Sequence, residues 1–156
     1  MKNLLFIVNP SAGRKHIKGK LLDIVDLFVK AGYNVKVYPT QAKKDATRIV
    51  SEEGWLYDVI VCAGGDGTLD EVIAGYMQCG CDIPLGYIPA GSTNDFARSL
   101  NIPKDPIRAA NRIVKYSPKP IDIGTFNGDC FVYVAAFGAF SSVSYSTPQE
   151  LSLIHI

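Results

Sequence analysis

Gly64-Gly65-Asp66-Gly67-Thr68 sets three glycines beside a carboxylate and a hydroxyl, directly after the apolar run Val59-Ile60-Val61-Cys62-Ala63. Glycines at such a place let the backbone turn sharply and approach a ligand closely. Thr68 and Glu71 have the T-x-x-E spacing of a capping box, so a helix is expected to begin at Thr68. The unpaired N–H groups and dipole of a helix start favour a phosphate. Asp66 is at odds with that, because a carboxylate beside phosphates is repulsive unless a cation lies between them. Mg²⁺ bridging the carboxylate side and the phosphate oxygens meets the requirement. The same residues also suit a tight strand-to-helix turn with a capping Asp, and local physics alone leaves both readings open.

Two further stretches share this character. Pro89-Ala90-Gly91-Ser92-Thr93-Asn94-Asp95 follows the apolar Leu85 to Ile88 and combines a glycine with hydroxyls. It reads either as a second phosphate loop or as a helix start capped by Ser or Thr. Asn9-Pro10-Ser11-Ala12-Gly13 follows Leu4-Leu5-Phe6-Ile7-Val8, with Arg14 and Lys15 beyond it. No G-x-x-x-x-G-K-[ST] loop is present, and no G-x-G-x-x-G opens the first helix.

Loops of this kind need elements to hold them. The apolar runs at 4–8 and 59–63 read as strands buried on both faces. Val35 to Tyr38 and Leu85 to Ile88 add two more strands. Ile17, Leu21, Ile24, Val25 and Phe28 recur at helical spacing, with Gly32 placed to end that helix. Thr40 can cap a second helix through Ala46, Ile49 and Val50, ending near Gly54. Leu69, Val72, Ile73, Tyr76 and Met77 form a third. A short helix is expected around Phe96, Ala97 and Leu100, and Asp105-Pro106 opens another. The expected fold is therefore α/β: a parallel sheet with helices on both faces over residues 1–116, followed by the start of a β-rich second domain. In such folds ligands bind at the carboxyl ends of the strands. In that second part, 117–150, Ile121 to Phe126 and Phe131 to Ala136 read as strands joined by the turn signal Asn127-Gly128-Asp129. The β-rich part reads as truncated, since two or three strands form no independently stable core. Leu151 to Ile156 resemble the in-frame translation of a sequencing-library adapter, and 151–156 are read as a non-native tail.

The 156 residues are 47% hydrophobic and 20% charged, which excludes a disordered chain. A formal net charge of +1 gives no case for a nucleic-acid partner. Lys2, Arg14, Lys15, Lys18 and Lys20 precede the first acid, Asp23, and fit either a solvated helix start or a basic rim. No apolar run is long enough for a transmembrane segment, so a cytoplasmic location is expected. Cys62, Cys79, Cys81 and Cys130 have no metal-binding or thioredoxin-like spacing and are expected to be packed thiols.

Taken together and in this order, the three loops resemble the diacylglycerol kinase catalytic-domain family, which also includes sphingosine and ceramide kinases. The family's Asn-Pro-x-(Ser/Ala)-Gly motif stands at Asn9 to Gly13, and its GGDGT motif is intact at Gly64 to Thr68. Its Pro-x-Gly-Thr-x-Asn-Asp motif stands at Pro89 to Asp95, with Ser92 in place of the usual threonine. Asp70 occupies a position where the family usually has Asn, adding negative charge there. The likeness extends to about Glu150 and includes Asp122-Ile123-Gly124.

The resemblance implies an ATP site formed by Asn9, Pro10, Ser11, Ala12, Gly13, Thr40, Gly64, Gly65, Asp66, Gly67, Thr68, Leu69, Asp70 and Ser92. It implies an acidic trio, Asp66, Asp95 and Asp122, acting on Mg²⁺ through water, although the residues alone favour a strand-end cap for Asp122. It further implies a lipid substrate, diacylglycerol, met at the inner membrane face by peripheral contact, with a homodimer among the assemblies open to the full-length protein. The catalytic base is expected beyond residue 150 and is not named. The alternatives are a kinase of a soluble substrate, such as an NAD kinase, and a non-catalytic nucleotide-binding module.

Overall fold

The computed structural model describes residues 1–13, 17–126 and 129–131. Strands β1 (Lys2–Val8), β2 (Tyr33–Pro39), β3 (Val59–Gly64) and β4 (Leu85–Pro89) form one sheet in the order β2-β1-β3-β4, and every pairing in it is parallel. The helices are α1 (Leu21–Lys30), α2 (Asp45–Glu53), α3 (Asp66–Cys79), α4 (Asp95–Ser99) and α5 (Pro106–Lys115). This is the expected α/β architecture, and side-chain alternation along the strands explains its layers. Leu4, Phe6 and Val8 point to the same side as Val61 and Ala63 and pack with Ile24 and Phe28 of α1 and Ala109 and Ala110 of α5. Leu5, Ile7, Ile60 and Cys62 point the other way, against Ile49 and Val50 of α2, Leu69 and Val72 of α3 and Phe96 of α4. Residues 4–8 of β1 and the whole of β3 are buried on both faces, which is why those stretches are continuously apolar.

Some helix limits follow the expected signals: α1 ends just before Gly32 and α2 ends against Gly54. Asp105 accepts the Arg108 N–H at 2.8 Å and Pro106 opens α5. The expected role of Thr40 does not hold: α2 begins at Asp45, and Lys44, in left-handed backbone, precedes it. The Thr40 N–H instead donates to Val8 O at 2.9 Å, fastening the end of β2 to the end of β1. Asp45 takes over the local turn by accepting the Gln41 N–H at 2.9 Å.

Beyond α5, Gly124–Phe126 (β5) and Asp129–Phe131 (β6) pair antiparallel, with Phe126 opposite Asp129. That register fits the expected hairpin, whose central residues 127 and 128 lie outside the described residues. The first strand is shorter than expected, because residues 121–123 are not in it. Residues 132–136 of the second expected strand and the tail 151–156 also lie outside the described residues. Cys79 and Cys81 stand side by side, with their sulfur atoms in contact. Gly80 at the C-cap of α3 has φ +64, and this reversal leaves the two Cα atoms 5.3 Å apart, within bridging range.

Helices α2 and α3 approach each other closely at Gly75. A Cβ there would lie 2.5 Å from Thr47 O and 2.8 Å from Val50 Cβ. The neighbour is helix backbone and cannot yield. Gly75→Ala is therefore expected to lower stability by about 1–3 kcal/mol despite alanine's better helix propensity. A urea midpoint equal to wild type would show that the two helices can separate freely.

Candidate functional site

The strand order places a topological switch between β1 and β3: the chain moves outward from β1 to β2, then returns past β1 to β3. The carboxyl ends of these two strands open the crevice where such sheets take ligands. Three loops meet there, and they meet through positions that have no room for a side chain. Gly13 has φ +53, and a Cβ on it would lie 2.3 Å from Ala90 O. A Cβ on Gly91 would lie 2.5 Å from Gly65 Cα. The loops after β1, β3 and β4 thus touch backbone to backbone. Gly67 is different: it is exposed, and a Cβ there would meet nothing within 4 Å.

Polar side chains lock the arrangement. Asn9 donates through Nδ2 to Thr68 Oγ1 at 2.9 Å, and its Oδ1 accepts the Ser11 N–H at 2.9 Å. Thr68 is only 8% exposed and rests on Gly64, where a Cβ would come within 2.5 Å of Thr68 Cβ. The capping box expected at Thr68 and Glu71 is not formed. Helix α3 starts two residues earlier, at Asp66, with Gly65 as N-cap and no side-chain cap bond. Thr68 is already inside the first turn, and its hydroxyl serves the β1 loop instead.

Asp66 reaches across to the neighbouring loop. Its Oδ2 accepts the Asp95 N–H at 3.0 Å and its Oδ1 the Phe96 N–H at 3.4 Å. The first residue of α3 therefore caps the helix that follows β4. The N-cap position of α4 itself is Asn94, in left-handed backbone at φ 53, ψ 53, with no side-chain cap bond; neither Ser92 nor Thr93 caps the helix. Asn94 grips its own loop instead. Its Oδ1 accepts the Gly91 N–H at 2.9 Å, and its Nδ2 donates to Gly91 O at 2.7 Å. Ser92 is left exposed at the tip.

Most of the expected site residues therefore lie on one rim: Asn9 to Gly13, Thr40, Gly64 to Thr68 and Ser92. Leu69 has its side chain buried in the core, so it can present only backbone. Asp70 follows it on α3 and is half-buried. Asp66 and Asp95 are neighbours, and Asp95 also pairs with Arg98 at 3.5 Å. Asp122 is exposed in the stretch before β5. Among the described residues, no three His, Cys, Asp or Glu side chains are grouped to hold a metal directly. Arg14 and Lys15 lie outside the described residues.

Residues 3–126 match the family model described as the diacylglycerol kinase catalytic domain. The chain belongs to this family. It is 39% identical to a diacylglycerol kinase of Bacillus subtilis (strain 168) over 153 residues, 97% of this chain and 50% of that protein. A diacylglycerol kinase of Staphylococcus aureus (strain bovine RF122 / ET3-1) is 40% identical over 157 residues, 98% of this chain and 49% of that protein. The crystal structure of a diacylglycerol kinase from Bacillus anthracis str. Sterne superposes with a TM-score of 0.77 at 34% identity, over 83% of this chain and 45% of that one. The chain thus spans about half the length of the family members it matches, and that half contains the switch-point rim. Among the described residues, no helix is long and apolar enough to cross a membrane.

Proposed function

We propose that this chain forms the nucleotide-binding half of an ATP-dependent lipid kinase that phosphorylates diacylglycerol to phosphatidic acid. The observation that carries the reading is the convergence of Gly13, Gly65 and Gly91 at the switch point, beside the start of α3. Bare backbone and the first N–H groups of a helix suit a polyphosphate, because the donors are fixed and no side chain stands in the way. The relatives named as diacylglycerol kinases supply the acceptor class.

In this reading Asn9 to Gly13, Thr40, Gly64 to Asp70 and Ser92 face the nucleotide. The donor set fits Mg²⁺, a hard cation that takes oxygen ligands and keeps several waters. Asp66 and Asp95 would hold it from one side through water, with Asp122 completing the trio. When bound, Mg²⁺ neutralises charge on the phosphate oxygens. The lipid hydroxyl oxygen attacks the γ-phosphorus, the bond to the ADP oxygen breaks, and the hydroxyl proton passes to a base beyond residue 150. Little covalent work falls to this half of the protein; it positions the phosphates and balances their charge. Contact with the lipid is peripheral, from the cytoplasmic side.

Product analysis tests the proposal. The full-length protein containing this chain, given Mg-ATP with diacylglycerol vesicles or with NAD, is expected to yield phosphatidic acid and ADP. Phosphorylated NAD with no lipid product would make it a soluble-substrate kinase. ATP binding without turnover on either acceptor would make it a binding module.

A further inference from the structure

We propose that Tyr87 is a positioning residue for the nucleotide: its hydroxyl latches the loop after β3 to the loop after β4 and holds both in the binding arrangement before the ligand arrives. The inference rests on the reading of this rim as a nucleotide site.

Tyr87 lies on β4 with its side chain 6% exposed. Its hydroxyl donates to Gly64 O at 3.1 Å and stands 3.4 Å from Asn94 Oδ1. A phenol has one proton, so the shorter contact is the principal bond and the Asn94 contact is secondary. Each partner stands at one end of a loop: Gly64 where the loop after β3 begins, Asn94 where the loop after β4 meets α4. Gly64 ends β3 and its carbonyl also accepts the Ala90 N–H at 2.8 Å. Asn94 closes the Gly91–Asn94 loop through both ends of its amide. The ring is held as well, because it packs at 6.1 Å against Phe96, whose N–H donates to Asp66. A phenol is a protonated donor at neutral pH, and burial, followed by the nearby charge of Asp66, pushes the Tyr87 hydroxyl further up.

The latch has a strained element to hold. Asn94 is left-handed, a conformation that costs free energy for any residue but glycine, though Asn tolerates it better than most. Gly91 must also stay against Gly65 at a distance that admits no Cβ. A loop free to leave this geometry would have to be reordered by each incoming nucleotide. A preformed one spares the ligand that cost.

Tyr87→Phe in the full-length protein separates this role from packing. The ring remains, and Gly64 O keeps the Ala90 N–H, so no buried acceptor is orphaned and the variant should fold. The expected result is a KM for ATP raised about fivefold, the loss of one modest hydrogen bond. kcat and the KM for the lipid should stay near wild type, and the Gly91 and Asp95 amides should exchange faster with solvent. A fall in kcat with KM for ATP unchanged would mean a smaller folded fraction and would overturn the latch, as would failure of the variant to fold. Unchanged kinetics and exchange in a variant whose wild type binds Mg-ATP would overturn the latch alone. A wild type that does not bind Mg-ATP would overturn the reading of the rim and the latch with it.

Discussion

Asp66→Asn in the full-length protein is expected to lower turnover on the order of a hundredfold or more while leaving the fold nearly intact. Two properties of the site lead to this. The first is charge. A carboxylate beside polyphosphate is useful only through a cation, and an amide of the same shape cannot supply that link. The second is the capping role. The carboxylate accepts N–H bonds from both Asp95 and Phe96, one on each oxygen. Asparagine keeps one acceptor and turns an NH₂ group toward a backbone donor. Helix α4 has only five residues and depends on such outside partners for its first N–H groups. Asp66→Ala removes both acceptors and should cost roughly 1–2 kcal/mol of stability on top of the lost turnover. The comparison separates the two roles. If Asp66→Asn kept most of the wild-type activity while Asp66→Ala lost both activity and melting temperature, capping would be the whole function of Asp66 and the Mg²⁺-linked role would fall. Steady-state kinetics and thermal melts on the two variants decide it.

The sheet was legible in the sequence because burial on both faces leaves a plain mark: residues 4–8 and 59–63 are runs without a charged residue, and a glycine-bearing loop follows each. The helix starts were less legible. Thr68-x-x-Glu71 has the right spacing for a capping box, but two residues of earlier helix put Thr68 in the first turn, where its hydroxyl found Asn9. A local motif was outcompeted by a contact spanning 59 positions, and no local rule contains such a contact. Thr40 lies five residues before α2 begins at Asp45, so its hydroxyl is not placed to cap that helix. The rim was readable as a set of polar, glycine-bearing loops, but which glycine meets which backbone was not. Gly13 faces Ala90 only because β1 and β4 flank β3. Tyr87 left a faint signal: a phenol in a buried strand needs a hydrogen-bond partner. The sequence does not say that the partners are Gly64 and Asn94.

Gly67→Ala is expected to abolish most of the stabilisation by Mg-ATP while leaving the ligand-free protein as stable as wild type, or slightly more so. The site's glycines fall into distinct classes, and Gly67 alone offers a clean test. Gly91 cannot take a side chain, because its Cβ would lie 2.5 Å from Gly65 Cα and 2.9 Å from Asn94 Oδ1. Gly91→Ala must move one loop and should cost about 1–3 kcal/mol with or without ligand. Gly13→Ala adds strain of roughly 1–2 kcal/mol at φ +53 to its clash with Ala90. Gly65 is intermediate: its φ of −86 is unstrained, but a Cβ would lie 3.3 Å from Gly91 Cα, so its effects on folding and binding are mixed. Gly67 has neither problem. It is the second residue of α3, outside the left-handed region, with open space where a Cβ would go. Alanine there should gain up to about 1 kcal/mol of helix stability. Under the proposed reading, a phosphate held by the first N–H groups of α3, roughly 3 Å from nitrogen, would occupy this open space, and a methyl group would displace it. Wild type with ATP at a hundred times its dissociation constant should be stabilised by about 2.7 kcal/mol. Thermal unfolding of wild type, Gly67→Ala and Gly91→Ala, each with and without Mg-ATP, reads the two effects separately. Gly67→Ala should keep its ligand-free midpoint and lose the ATP-induced shift, whereas Gly91→Ala should melt lower in both conditions. A Gly67→Ala protein that kept the full ATP-induced shift would place the phosphates elsewhere on the rim and reduce Gly67 to a residue of the turn.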